Sequence, residues 1–167
     1  NEDKVYTSAS LYKLYVTYAV LNKVDKGELT LDTPMDAVGG TVASYITKTI
    51  TLSANETASA LAELVTWDYI EEFIHENGFT NTTFNLYQSG GVTYTGTLQT
   101  TASDVTKIIN KLYDKELLSE TSTDYFINQL NNQQLTYALN RGLTDEVFFA
   151  HKTGILDDVS HDAGVVT

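Results

Sequence analysis

The stretch from Ser10 to Val24 is apolar around its whole circumference. Leu11, Leu14, Tyr15, Tyr18 and Leu21 recur at helical spacing, and Val16, Ala19 and Val20 make the opposite side apolar as well. A helix without a polar face belongs inside a protein, so this segment predicts a buried helix that the rest of the chain must cover. With 167 residues and 42% hydrophobic content there is enough material for one such core, and the expected organisation is a single domain over 1–167.

Charge narrows the partners. A formal net charge of −12 argues against nucleic acid or anionic lipid, because phosphate binding needs clustered Lys and Arg. No apolar run approaches membrane-spanning length. Cysteine is absent, which removes disulfides and thiol chemistry without fixing a compartment. His75, His151 and His161 have no metal-ligand spacing, and His75 reads as a dipole partner near a helix C-terminus, so no metal or cofactor is expected. Arg141, the single arginine, is expected at the surface.

After the first helix, Lys26-Gly27-Glu28 marks a stop, and a loop passes Pro34 and Gly39-Gly40. Helices are predicted over 41–49, leading into Ile50-Thr51-Leu52, then over 55–64 and 67–77, the last with Ile70, Phe73 and Ile74 inward. The stretch 79–100 is rich in Thr, Asn and Gly, lacks helical periodicity, and reads as a long functional loop. Ser103 or Thr101 can cap the next helix, and another is predicted over 123–130. Residues 146–152 and 161–167 read as strands of an antiparallel hairpin joined through 156–159.

Three short patterns fall in order: Ser10-Leu11-Tyr12-Lys13, Ser53-Ala54-Asn55 and Lys152-Thr153-Gly154. Ser10 opens the buried helix, where orphan amides and the positive end of the dipole favour negative charge on its oxygen. Lys13 lies one turn further on the same face, among Tyr and Leu side chains whose packing lowers an amine's pKa and frees it to act as a base. Taken alone, the same two residues also fit a capping serine with a snorkelling lysine. Ser53 and Asn55 precede a helix that either could cap. Lys152-Thr153-Gly154 closes the apolar run Val147-Phe148-Phe149-Ala150, and on an edge strand Gly154 permits close approach of a peptide-like ligand; alone it also fits an ordinary hairpin end.

The ordered set of SxxK, SxN and KTG resembles the known signature of the class A β-lactamase and penicillin-binding protein superfamily. The segment 40–53 resembles the stretch leading into the family's SxN, 100–104 the start of the helix after its Ω loop, and 161–164 the strand after KTG. The resemblance implies an α+β fold, a mainly helical subdomain on an antiparallel sheet, and an active-site-serine hydrolase with no cofactor. It implies Ser10 as nucleophile, Lys13 as its base and Ser53 as proton relay. Asn55, Lys152 and Thr153 then hold substrate, Gly154 allows its approach, and the amides of Ile155 and Ser10 form an oxyanion hole. The implied partners are a peptidoglycan peptide or a β-lactam, and the implied location is the extracellular side of a bacterial envelope. The family's sheet has strands before the nucleophile helix and after the hairpin, so the chain is expected to be trimmed at both ends.

Two departures matter. Ala54 stands where the β-lactamases usually carry Asp, and the loop between Phe79 and Ser103 contains no Asp or Glu where class A enzymes keep the glutamate that activates the deacylating water. Amides such as Gln88 and Gln99 cannot replace it. The expectation is therefore a penicillin-binding type of enzyme, acylated readily and deacylated poorly. A β-lactamase with another deacylation route, and a non-catalytic peptidoglycan-binding ectodomain, are the alternatives.

Overall fold

A computed structural model describes residues 1–35, 39–144 and 146–167. Strand β1 (Tyr6–Thr7) leads through a 3-10 turn, Ala9–Leu11, into helix α1 (Tyr12–Asp25). Every residue from Tyr12 to Leu21 is buried, as an all-round apolar helix requires. Helices α2 (Val42–Thr51), α3 (Asn55–Val65) and α4 (Trp67–Glu76) pack around it. Tyr15 and Tyr18 meet Phe79 edge-on at 5.6 and 6.2 Å.

Helix α2 begins at a reciprocal capping box between Thr41 and Ser44 and continues through Ile50 and Thr51, which the sequence placed after it. Its last carbonyls are met by residues 133–134: the Ile50 carbonyl accepts from Gln133 Nε2 and that of Thr51 from the Gln134 amide. The chain then turns at Ser53, whose backbone is left-handed (φ 56°), and the Ala54 amide returns to the Lys48 carbonyl. Ala54 is the N-cap of α3, without a side-chain cap, so neither Ser53 nor Asn55 has the capping role open to it in sequence.

The acid-free stretch is ordered by its neighbours. It holds a hairpin, β2 (Tyr87–Ser89) and β3 (Val92–Tyr94), and a short strand β4 (Gln99–Thr100) that pairs with β1. Gly90 and Gly91 both have positive φ, the requirement of a two-residue hairpin turn. Its neck is tied by paired bonds between Thr83 and Gln99, by Asp104 accepting from Thr82 and the Asn81 amide, and by Glu71 accepting from Thr83 and the Phe84 amide.

Helix α5 (Ala102–Tyr113) is capped by Thr101, and α6 (Glu120–Asn131) by Ser119. A 3-10 turn, Leu139–Gly142, carries Arg141 at the surface. Strands β5 (Phe149–Ile155) and β6 (Ser160–Val166) form the expected antiparallel hairpin, in register from Phe149↔Val166 to Ile155↔Ser160. The ladder runs three residues beyond the sequence reading, so Lys152, Thr153 and Gly154 lie within β5 rather than at its end. Glu146 and Val147 form a turn instead of strand. β5 packs on α6 and on the turn at 9–11, and β6 on α5. Among the described residues no helix is long and apolar enough to cross a membrane.

Candidate active site

The three motifs converge where the start of α1, the α2–α3 turn and β5 meet. Lys13 is fully buried, yet its Nζ lies 3.0 Å from Ser10 Oγ, 2.5 Å from the Ser53 carbonyl, 2.7 Å from Asn55 Oδ1 and 3.2 Å from Ser53 Oγ. The two shortest contacts are to atoms that can only accept. A neutral amine fits this arrangement: its two hydrogens go to the Ser53 carbonyl and Asn55 Oδ1, and its lone pair faces the Ser10 hydroxyl.

Lys152 approaches from the other side. It too is fully buried, with Nζ 2.9 Å from Ser53 Oγ and 2.7 Å from the Thr153 carbonyl. Burial lowers the Lys13 pKa to about 8, although Glu56 acts to raise it. Burial lowers Lys152 further, to about 7, with Lys13 pushing the same way and Asp162 opposing. The cluster thus joins residues from three separate parts of the chain, and both lysines lose protons far more readily than in water.

The backbone around the two serines is unusual. Ala9, just before Ser10, has φ 45°, and Ser53 itself is left-handed. Such a conformation costs a non-glycine residue roughly 1–2 kcal/mol and persists where packing over-determines it, commonly at functional sites. Gly154 lets β5 close on the nucleophile: a Cβ built there would lie 3.1 Å from the Ser10 nitrogen and 3.3 Å from that of Leu11. Ile155, 58% exposed, follows at the mouth of a cleft of about 350 Å³ that Ser10, Tyr12, Asn55, Leu98 and Leu156 also line. The Thr153 hydroxyl is buried and has no hydrogen-bond partner among the described residues.

All eight residues selected from the sequence therefore lie in one neighbourhood, six of them in a single hydrogen-bonded cluster. Tyr12 and the loop residues Thr97 and Leu98 were not foreseen as cleft walls. Tyr12 could have been read from its place between Ser10 and Lys13, whereas nothing local marks the other two. A larger hollow of about 440 Å³, between α5 and β6, is lined by none of the eight selected residues and is not the chemical site.

The profile of the beta-lactamase enzyme family matches residues 1–167, the whole chain. The chain belongs to that family. No curated protein matches it. Among solved structures it is similar to a beta-lactamase from Chitinophaga pinensis DSM 2588, at 21% identity and a TM-score of 0.86, over 100% of this chain and 73% of that one. It is likewise similar to a beta-lactamase from Sphaerobacter thermophilus DSM 20745, at 22% identity and a TM-score of 0.88, over 99% and 70%. A third similar structure is PBP-A, at 23% identity and a TM-score of 0.88, over 99% and 69%. At these identities the likeness establishes the α+β fold.

Proposed function

We propose that this family member is an active-site-serine hydrolase or acyltransferase that is acylated at Ser10 by β-lactams and acyl-D-Ala-D-Ala peptides and releases penicillin slowly. The observation that carries the reading is the Lys13 nitrogen 3.0 Å from the Ser10 hydroxyl, inside a network that also holds Ser53 and Lys152. Neutral Lys13 takes the Ser10 proton as Oγ attacks the carbonyl carbon. The oxyanion forms between the amides of Ser10 and Ile155. Ser53 Oγ lies within reach of both lysine nitrogens, so it passes its own proton to the departing nitrogen and is reprotonated by Lys13, which by then carries the proton from Ser10. The Lys152 ammonium and the Thr153 hydroxyl bind the substrate carboxylate. A mutant of PBP-A is known as an acyl-enzyme complex with penicillin G, which supports the same chemistry here.

Slow release is supported by how the acids that contact the 79–100 loop are used. Glu71 and Asp104 are spent on the loop neck, and Asp68 accepts from Thr93 on β3. None of these is left to activate a water at the acylated serine. The test is intact-mass measurement after incubation with benzylpenicillin, followed by peptide mapping. A penicilloyl adduct on Ser10 that disappears in Ser10→Ala is expected. Label on Ser8 or Ser53, or an undiminished adduct in Ser10→Ala, overturns the assignment.

A further inference from the structure

The tyrosine between Ser10 and Lys13 takes no part in the chemistry above. Tyr12 is 8% exposed and lines the cleft at Ser10. Its ring centre lies 5.6 Å from Lys13 Nζ and 6.1 Å from the Trp67 ring, which is itself backed at 5.2 Å by Phe84 of the 79–100 loop. Packing of this kind holds the ring in place. Its hydroxyl has no hydrogen-bond partner among the described residues. The unpartnered hydroxyls of Thr17, Tyr137 and Thr153 are sealed from solvent, whereas that of Tyr12 reaches it, and the cleft is where this side chain surfaces. A buried tyrosine ordinarily finds a partner for its O–H, so a free one beside the nucleophile calls for a ligand.

We propose that Tyr12 is a substrate-binding residue whose hydroxyl, together with the Asn55 side-chain amide, donates to the carbonyl oxygen of an acylamide next to the reacting carbonyl, so that the site selects acylamide substrates over those with a bare amine there. The proposal rests on the reading of Ser10 as the acylated nucleophile. Asn55 lines the same cleft, and its Oδ1 is taken by Lys13 at 2.7 Å, so the group it has left to offer is its NH2. Burial holds the Tyr12 pKa up at about 12, which keeps the phenol a neutral donor and no base. Two neutral donors suit an uncharged carbonyl oxygen, whereas the substrate carboxylate is read as meeting Lys152. Ala9, Leu98, Ile155 and Leu156 add apolar wall, and no acidic residue is among those that line the cleft, so an amine entering it finds no counter-charge.

The test compares benzylpenicillin, which carries the acylamide, with 6-aminopenicillanic acid, which has a bare amine in its place. Tyr12→Phe keeps the ring and removes the hydroxyl. Its half-saturating concentration for acylation by benzylpenicillin is expected to rise about fivefold, the worth of one hydrogen bond, with the limiting rate little changed. Acylation by 6-aminopenicillanic acid is expected to be the same in both proteins, and the melting temperature should hold because no partner is left unpaired. An unchanged value for benzylpenicillin, or an equal rise for both compounds, overturns the proposal. So does a Tyr12→Phe chain that does not fold, since the hydroxyl would then be structural. Calorimetric binding to Ser10→Ala, with and without Tyr12→Phe, reads the same contact without the covalent step. There benzylpenicillin is expected to weaken about fivefold and 6-aminopenicillanic acid not at all, and any other result overturns the proposal. If the unmodified chain is acylated by neither compound, the proposed function fails while this binding comparison still judges Tyr12.

Discussion

Ser53 Oγ sits between two lysine nitrogens, 2.9 Å from Lys152 and 3.2 Å from Lys13, although 99 and 40 residues of chain separate it from them. Two potential cations within reach of one hydroxyl repel each other, and burial removes the water that would screen them. They titrate as a coupled pair, and the proposed mechanism needs one neutral and one charged.

Acylation is therefore expected to follow a bell-shaped pH profile. Activity rises as Lys13 loses its proton through about pH 8 and falls as Lys152 loses its own through about pH 7. Because the base has the higher value, the productive combination is the minority arrangement of the single proton the pair then shares. Rates of penicilloyl formation measured from pH 5.5 to 9.5 check this. A rate that climbs steadily to pH 9.5 would show that the charge on Lys152 is not needed.

Lys152 reads from sequence as a strand-end residue that holds substrate, but in the fold it is wholly buried. Its pKa falls from 10.5 in the unfolded chain to about 7 in the fold, so carrying the proton destabilises the native state. That cost is complete below about pH 7 and fades as pH rises toward 10.5. Lys152→Met is expected to abolish efficient acylation yet stabilise the protein at pH 7 by about 1–4 kcal/mol. Thermal melts should show the gain shrinking toward pH 10, and a gain independent of pH would refute this account.

Gly154→Ala brings a methyl group against two backbone nitrogens that cannot rotate away. β5 must retreat by a few tenths of an ångström from Ser10. A loss of about 1 kcal/mol in stability and of roughly tenfold or more in acylation rate is expected. Melting curves and mass-detected acylation measure the two separately, and unchanged acylation would mean that the strand does not set the nucleophile's geometry.

Thr153→Val removes a buried hydroxyl that lacks a partner. Stability should hold or rise, since nothing in the protein is left unpaired. The substrate carboxylate loses one charge-assisted hydrogen bond, and the half-saturating penicillin concentration is expected to rise roughly tenfold. Equal binding by both proteins would place the carboxylate elsewhere.

The penicilloyl-enzyme should outlast that of a class A β-lactamase. A positioned general base typically contributes about 10²–10⁴-fold, or roughly 3–5 kcal/mol of barrier, and the loop from 79 to 100 supplies none. Intact mass followed after removing excess penicillin gives the lifetime directly. Recovery of the unmodified mass within seconds would require a different deacylating base and would favour a β-lactamase.

Much of this protein could be read before folding it. The all-round apolar run at Ser10–Val24 dictates a buried helix because every direction of its surface must leave water. Thr101 or Ser103 before an amphipathic run dictates a cap, of which the fold uses Thr101, and the alternating segments near the C-terminus dictate a hairpin. The three motifs picked out Ser10, Lys13, Ser53, Asn55 and Lys152, which the fold brings into one hydrogen-bonded cluster. Tertiary structure decided the rest. The Gly90-Gly91 turn carried a local signal, but the hairpin beside it is placed by Tyr87 stacking on Tyr94 across the strands and by Asp68, Glu71 and Asp104 holding its flanks. The left-handed backbone at Ser53 is imposed by α2 and α3 meeting there. Whether a lysine is a base or an anion-binding charge depends on what surrounds it. Burial, Lys13 and Asp162 reach Lys152 from separate elements, and no local pattern of sequence can carry that sum.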